Sequence, residues 1–163
     1  MTPSALKSAE IKSVDPVWDV VRAGARQIAA AEPSLANMTI SSILNHDTFE
    51  LALAHRLAAR LHHDDVSADL IRQAFAETLI DAPEVGQNAR VDLAATLERD
   101  PACHRAVEPL LFFKGYQAIQ THRFAHAMFK AGRRDFALYL QSRVTGFQRR
   151  RQWTCGAVAG PDA

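Results

Sequence analysis

Apolar residues recur along this chain every three or four positions, the interval that gathers them on one side of an α-helix. Val17, Val21 and Ile28 form one such stripe, Leu53, Leu57 and Leu61 another, and Ile71, Ala74, Phe75 and Thr78 with Leu70 and Leu79 a third. Val85, Ala89, Leu93 and Leu97 continue the series, and Phe136, Leu140 and Val144 close it. The punctuation agrees with the periods. Asp15 before Pro16 suits an N-cap and first helical position, and Pro33 ends the segment it opens. Met38, Ile43 and Leu44 suggest a short second helix. Asp47 and Glu50 have the spacing of a capping box for the third, which stops at His62-His63-Asp64-Asp65. Ser67 caps a fourth helix and Pro83 starts a fifth, the two expected to pack antiparallel.

Two later features carry the most information. Glu98-Arg99-Asp100-Pro101 breaks the helical pattern, because a residue before proline is pushed out of the α region, so Asp100 is expected at a helix end or bend. After Pro109 comes the most apolar run, LLFFKGYQAIQTHRFAHAMFKAG, long enough for a principal core helix stopping at Gly132 as its C′ residue. From Thr145 both periods vanish and three of the seven glycines appear, which predicts a poorly ordered tail over 145–163. The expectation is an all-α domain of about six to eight helices over 15–144, with a flexible N-terminus over 1–14.

Composition supports one globular unit: 163 residues, 48% hydrophobic and 23% charged, suffice for a real core. No run of about eighteen apolar residues and no signal- or transit-like start occurs, so neither membrane nor export is expected. Cys103 and Cys155 lie far apart outside any CxxC spacing and read as free thiols in a reducing compartment, which makes the expected location cytoplasmic. The net charge of +1 conceals an asymmetry, for six arginines against Asp135 give +5 over residues 133–151 while residues 1–132 carry −3. The Arg149–Arg151 run with Trp153 could join phosphate contact to base stacking, but one triplet of arginines is more simply a solvated face, and no nucleic-acid partner is expected.

Strong nucleotide and zinc signatures such as G-x-x-x-x-G-K-[ST], G-x-G-x-x-G and H-E-x-x-H are absent. His122 and His126, four apart, could offer two imidazoles to a metal, but no third ligand accompanies them. The consecutive His62–Asp65 cluster cannot easily converge on one ion and reads as a solvated helix end. No metal is expected.

From about residue 15 to 144 the chain resembles the amino-terminal helical domain of the serine O-acetyltransferases. The resemblance runs through DPVWDVVRAGAR, AAAEPSLANM and SSILNHDTFELALAHRLAARL, and peaks at RDPACHRAVEPLLFFKGYQAIQTHRFAHAMFKAGRRDFALYLQSRV. Short pieces such as Pro-Leu-Leu-x-x-Lys-Gly-Tyr at 109–116 would be weak alone; their order and spacing carry the similarity. It implies an enzyme that moves acetyl from acetyl-CoA to the hydroxyl of L-serine, toward cysteine. It further implies a left-handed β-helix of hexapeptide repeats after the helical domain, a dimer of trimers paired through the helical domains, and His-Asp base machinery between neighbouring β-helices. One implied site residue falls in this chain. Asp100, in Arg99-Asp100-Pro101-Ala102, matches the helical-domain aspartate that contacts the amino group of substrate serine.

After Val144 the similarity stops, and TGFQRRRQWTCGAVAGPDA contains no hexapeptide repeat. The expectation is a chain cut off before the β-helix: no catalytic base, no bound cofactor (acetyl-CoA being the family co-substrate), no tail for O-acetylserine sulfhydrylase, and no activity alone. Self-association through helical surfaces is the alternative role.

Overall fold

A computed structural model describes residues 15–148, with side chains through Val144. Among the described residues there are eight α-helices and no strand; the single β-bridge, His63 with Val66, closes the turn after the third helix. The helices are α1 (Pro16–Ala31), α2 (Pro33–Thr39), α3 (Phe49–Leu61), α4 (Ala68–Asp81), α5 (Glu84–Arg99), α6 (Val107–Leu111), α7 (Lys114–Lys130) and α8 (Arg134–Gln148). The all-α expectation holds.

Local chemistry explains most boundaries. The Asp15 carboxylate accepts from the Trp18 amide at 3.0 Å with Pro16 at the first turn, and Ser67 Oγ accepts from the Leu70 amide at 3.2 Å. At the turn into α8, Gly132 has φ of 82°, while its amide and that of Arg133 donate to the carbonyls of Phe129 and Met128. That paired bonding needs the left-handed region glycine enters without a Cβ penalty. α2 does not stop cleanly at Thr39 but loosens into a π turn over Ile40–Leu44, where the Asn45 amide donates to the Ile40 carbonyl at 3.0 Å.

Four expectations change. The cap of α3 is Thr48 rather than Asp47: its extended backbone and its Oγ1, accepting from the Leu51 amide, fit the role, and Glu50 is engaged elsewhere. α4 packs chiefly on α3, and α5 chiefly on α7, so the fourth and fifth helices are sequential without being a close pair. The long apolar run is two helices, α6 and α7, parted at Phe112-Phe113. Finally, α8 continues to Gln148, so residues 145–148 are helical in backbone despite the lost periodicity, since extending an existing helix is far easier than nucleating one. The remainder of the expected tail, 149–163 with Arg149–Arg151 and Trp153, and the expected flexible segment 1–14 lie outside the described residues.

The core lies where α1, α3, α4, α6 and α7 meet. Phe75 and Phe124, both fully buried, stack with centroids 4.2 Å apart, and Trp18 meets Phe49 edge-on at 6.5 Å. Each such ring removes enough apolar surface from water to contribute about 1.5–3 kcal/mol. α8 is tied to the far end of α3 by polar bonds: the Tyr139 hydroxyl and Arg143 Nε both donate to the Leu61 carbonyl, at 3.0 and 3.1 Å. No described helix is long and apolar enough to cross a membrane.

Candidate functional site

α5 ends at Arg99 because Pro101 forces the residue before it to be extended, and Asp100 accordingly has φ −92° and ψ 109°. Its amide still closes the last helical turn onto the Thr96 carbonyl at 3.0 Å. Its side chain then turns back on the next residues. Oδ1 accepts from the Ala102 amide at 2.9 Å, and the Asp100 carbonyl accepts from the Cys103 amide at 2.9 Å. This aspartate turn uses one carboxylate oxygen and leaves the other for something else.

Asp100 sits at the rim of a groove of about 440 Å³ between the end of α5 and the start of α7, lined also by Asp92, Ala95, Thr96, Phe113, Gly115, Tyr116 and Ile119. The second carboxylate of that lining is already neutralised. Arg123 grips Asp92 with Nε and Nη2 at 2.8–3.0 Å, and Gln120 Nε2 adds a bond at 2.8 Å. Thr96 Oγ1 donates to the Asp92 carbonyl at 2.7 Å, and the Tyr116 hydroxyl to the Ala89 carbonyl at 2.8 Å. Burial pushes the Tyr116 phenol far above its ordinary range, so it is a fixed donor rather than an acid. Among the described residues no cation pairs with Asp100. Gly115 opens the floor: a Cβ there would meet nothing within 4 Å.

The loop that carries Asp100 is closed from its other end by Glu108, in the first turn of α6. One oxygen of this nearly buried carboxylate accepts from the His104 and Arg105 amides at 2.8 and 3.2 Å, and the other from Arg105 Nε at 2.8 Å. Burial works against the charge, yet the Arg105 guanidinium and the two amides hold the carboxyl below its ordinary value. Cys103, buried between, has its thiol pushed up by burial and by the Glu108 and Asp100 charges, so it is not an activated nucleophile.

The other polar clusters do not converge on this groove. His122 and His126 are exposed on α7, their rings 6.2 Å apart, along a groove of about 220 Å³ shared with Phe129, Leu138 and Gln141 of the α7–α8 pair. His62 to Asp65 are exposed at the end of α3, and among the described residues no group of three or more His, Cys, Asp or Glu is placed to hold a metal.

The profile described as "Serine acetyltransferase, N-terminal" matches residues 17–121. The chain belongs to the serine acetyltransferase N-terminal family. A probable serine acetyltransferase of Oryza sativa subsp. japonica is 43% identical over 134 residues, 82% of this chain and 42% of that protein. The serine acetyltransferase of Escherichia coli K12 is 36% identical over 129 residues, 79% of this chain and 47% of that protein. The crystal structure of serine acetyltransferase from Brucella abortus strain S19 superposes with a TM-score of 0.80 at 48% identity, covering 83% of this chain and 56% of that one. The Neisseria gonorrhoeae serine acetyltransferase in complex with serine gives 0.79 at 32% identity, covering 84% and 56%. This serine acetyltransferase N-terminal chain thus spans about two fifths to one half of the curated relatives' length and just over half of the solved ones.

Pro101 placed Asp100 at a helix end, and the family resemblance singled it out as a site residue. Sequence reasoning missed the Asp92–Arg123 pair, whose members stand 31 residues apart and leave no local signal. It also missed Glu108, although an arginine three residues before a glutamate at a helix start was there to be read.

Proposed function

We propose that this chain is the helical part of a serine O-acetyltransferase, in which Asp100 receives the ammonium group of substrate L-serine while acetyl passes from acetyl-CoA to the serine hydroxyl. The observation that carries the reading is the state of Asp100: a carboxylate at a helix break, held by one backbone amide, unpaired with any described cation, and opening on a groove whose other carboxylate is already bound. An ammonium group gains a charge-assisted hydrogen bond from such an oxygen, worth roughly twice a neutral one. The likeness to an acetyltransferase solved with serine supports the same assignment.

The general base and the acetyl-CoA groove belong, in this reading, to segments the relatives carry outside the matched region, so these helices alone bind substrate without turning it over. They bind no cofactor themselves. They self-associate in the assembled enzyme, work in the cytoplasm, and offer no site to O-acetylserine sulfhydrylase. The apolar shallow groove between α1 and α5, lined by Pro16, Val17, Val20, Ala94 and Leu97, favours the self-association.

Titrating L-serine into the labelled chain tests the central assignment. Amide shifts concentrated at 100–103, absent in Asp100→Asn and absent with glycerate, which lacks the ammonium, are the expected result. Equal responses in wild type and Asp100→Asn would overturn it. With serine and acetyl-CoA together, the purified chain is expected to show background turnover only.

A further inference from the structure

We propose that Glu108 is the positioning residue of this site: its carboxylate holds the Asp100 loop in the shape that leaves one Asp100 oxygen facing the groove. This rests on the reading of Asp100 as the ammonium contact. The loop from Asp100 to Ala106 has two fastenings. At the front, Asp100 folds onto itself through the Ala102 and Cys103 amides, both at 2.9 Å. At the back, Glu108 takes the His104 and Arg105 amides and the Arg105 guanidinium, all between 2.8 and 3.2 Å. Between them Cys103 is buried, its thiol 3.7 Å from the Arg105 carbonyl, so front and back share one packed segment.

The front fastening cannot hold the loop by itself. Both of its bonds are local turn closures, and the one from Ala102 stands open to competing water. Glu108 is different in kind. It is nine-tenths buried, its charge is matched by Arg105, and its neighbours Val107, Leu110 and Leu111 are sealed in the core. Bonds to a buried carboxylate that water cannot reach resist opening more than a bond to an exposed one. The loop therefore takes its geometry from α6, and Asp100 takes its aim from the loop.

The test is amide hydrogen exchange at Ala102 and Cys103, whose bonds go to Asp100 and not to Glu108. Glu108→Ala is expected to speed exchange at both by about tenfold, with the amides of α7 unchanged, the signature of a local opening. Glu108→Gln, which keeps an acceptor, should return both to within about threefold of wild type. If Ala102 and Cys103 exchange at wild-type rates once His104 and Arg105 are released, Glu108 is merely a cap for α6 and the proposal fails. It fails equally if acceleration spreads evenly over α5 and α7, which would mean lost fold stability rather than a freed loop. In a Cys155→Ala background, faster alkylation of Cys103 by iodoacetamide in Glu108→Ala must accompany the exchange result; an unaltered rate counts against the clamp. A wild-type chain silent to L-serine would remove the substrate reading, and the exchange rates would still judge the clamp.

Discussion

Arg90 on α5 holds Glu50 on α3 with two bonds, Nε to Oε1 at 2.7 Å and Nη2 to Oε2 at 3.0 Å, and its remaining nitrogen reaches Asp15 ahead of α1 at 2.6 Å. The same guanidinium lies 4.9 Å from the centre of the Phe49 ring. One side chain thus fastens three helices, and all three partners are about three-quarters shielded from water. Arg90→Ala is expected to cost about 2 kcal/mol, below the figure for a fully buried pair because the site is partly solvated. Arg90→Lys should recover little, since a point charge cannot span two carboxylates. Urea unfolding of the three proteins checks both statements.

Gly86 tells against any side chain beneath that fastening. A methyl there would stand 2.6 Å from Glu50 Cγ, and Glu50 cannot swing aside while Arg90 grips it. Gly86→Ala should therefore destabilise by about 1–3 kcal/mol even though alanine is the better helix former. In a Glu50→Ala background the penalty should largely disappear, a coupling that a double-mutant cycle measures directly.

Stability should fall as pH drops below 6.5. The rings of His46, ahead of α3, and His55, within it, lie 4.7 Å apart. Burial lowers both pKa values, more than offsetting the Ser41 carbonyl that accepts from His46 Nε2 and the carboxylates of Asp47 and Asp69; Arg72 adds to the lowering of both, and Arg56 to that of His55. Unfolded histidine takes up its proton near pH 6.5, whereas the folded pair resists until lower pH, so the unfolded chain gains as pH falls through that window. Asp15 and Glu108, also held low, begin to lose their contribution only near pH 4, where the unfolded carboxylates protonate, and go on losing it below that. Thermal melts should show a declining Tm from pH 7.5 to 5.5, and His55→Phe, which keeps an aromatic ring, should flatten the slope.

Gly115 separates the groove from the fold. Since a Cβ at this position meets nothing within 4 Å, Gly115→Val should leave Tm within about 2 °C of wild type while narrowing the floor beside Asp100. The L-serine response should be lost. An unchanged response would mean that the ligand does not occupy this groove.

Several helix boundaries that rest on a neighbour in sequence were legible beforehand. Asp15 with Pro16, Ser67, and Gly132 all act within five residues of themselves, and so does Pro101 in setting Asp100 at a helix end. What escaped depends on contacts across the molecule. Nothing near Asp47 reveals that Glu50 is taken by Arg90, forty residues on, which leaves Thr48 to cap α3. The apolar run from Leu110 to Gly132 reads as one helix, and only tertiary bonds show the break. There the Leu110 carbonyl accepts from Gln117 Nε2 at 2.6 Å and the Leu111 carbonyl from Arg56 Nη2 at 2.7 Å, so the interrupted backbone is satisfied from inside. Leu70, expected on the core face of α4, is half exposed, on the open groove between α4 and α3.

All five residues of α6 are buried, though five residues cannot sustain a helix in water. α6 is a rivet: it exists because the interior closes around it, with Val107 pressed so tightly on Gly24 that a methyl on that glycine would stand 3.0 Å from Val107 Cγ1. The aim proposed for the half-buried carboxylate at Asp100 is thereby tied to a closely packed part of the hydrophobic interior. Val107→Ala should lower the melting point and, several residues away, blunt the L-serine response proposed for Asp100.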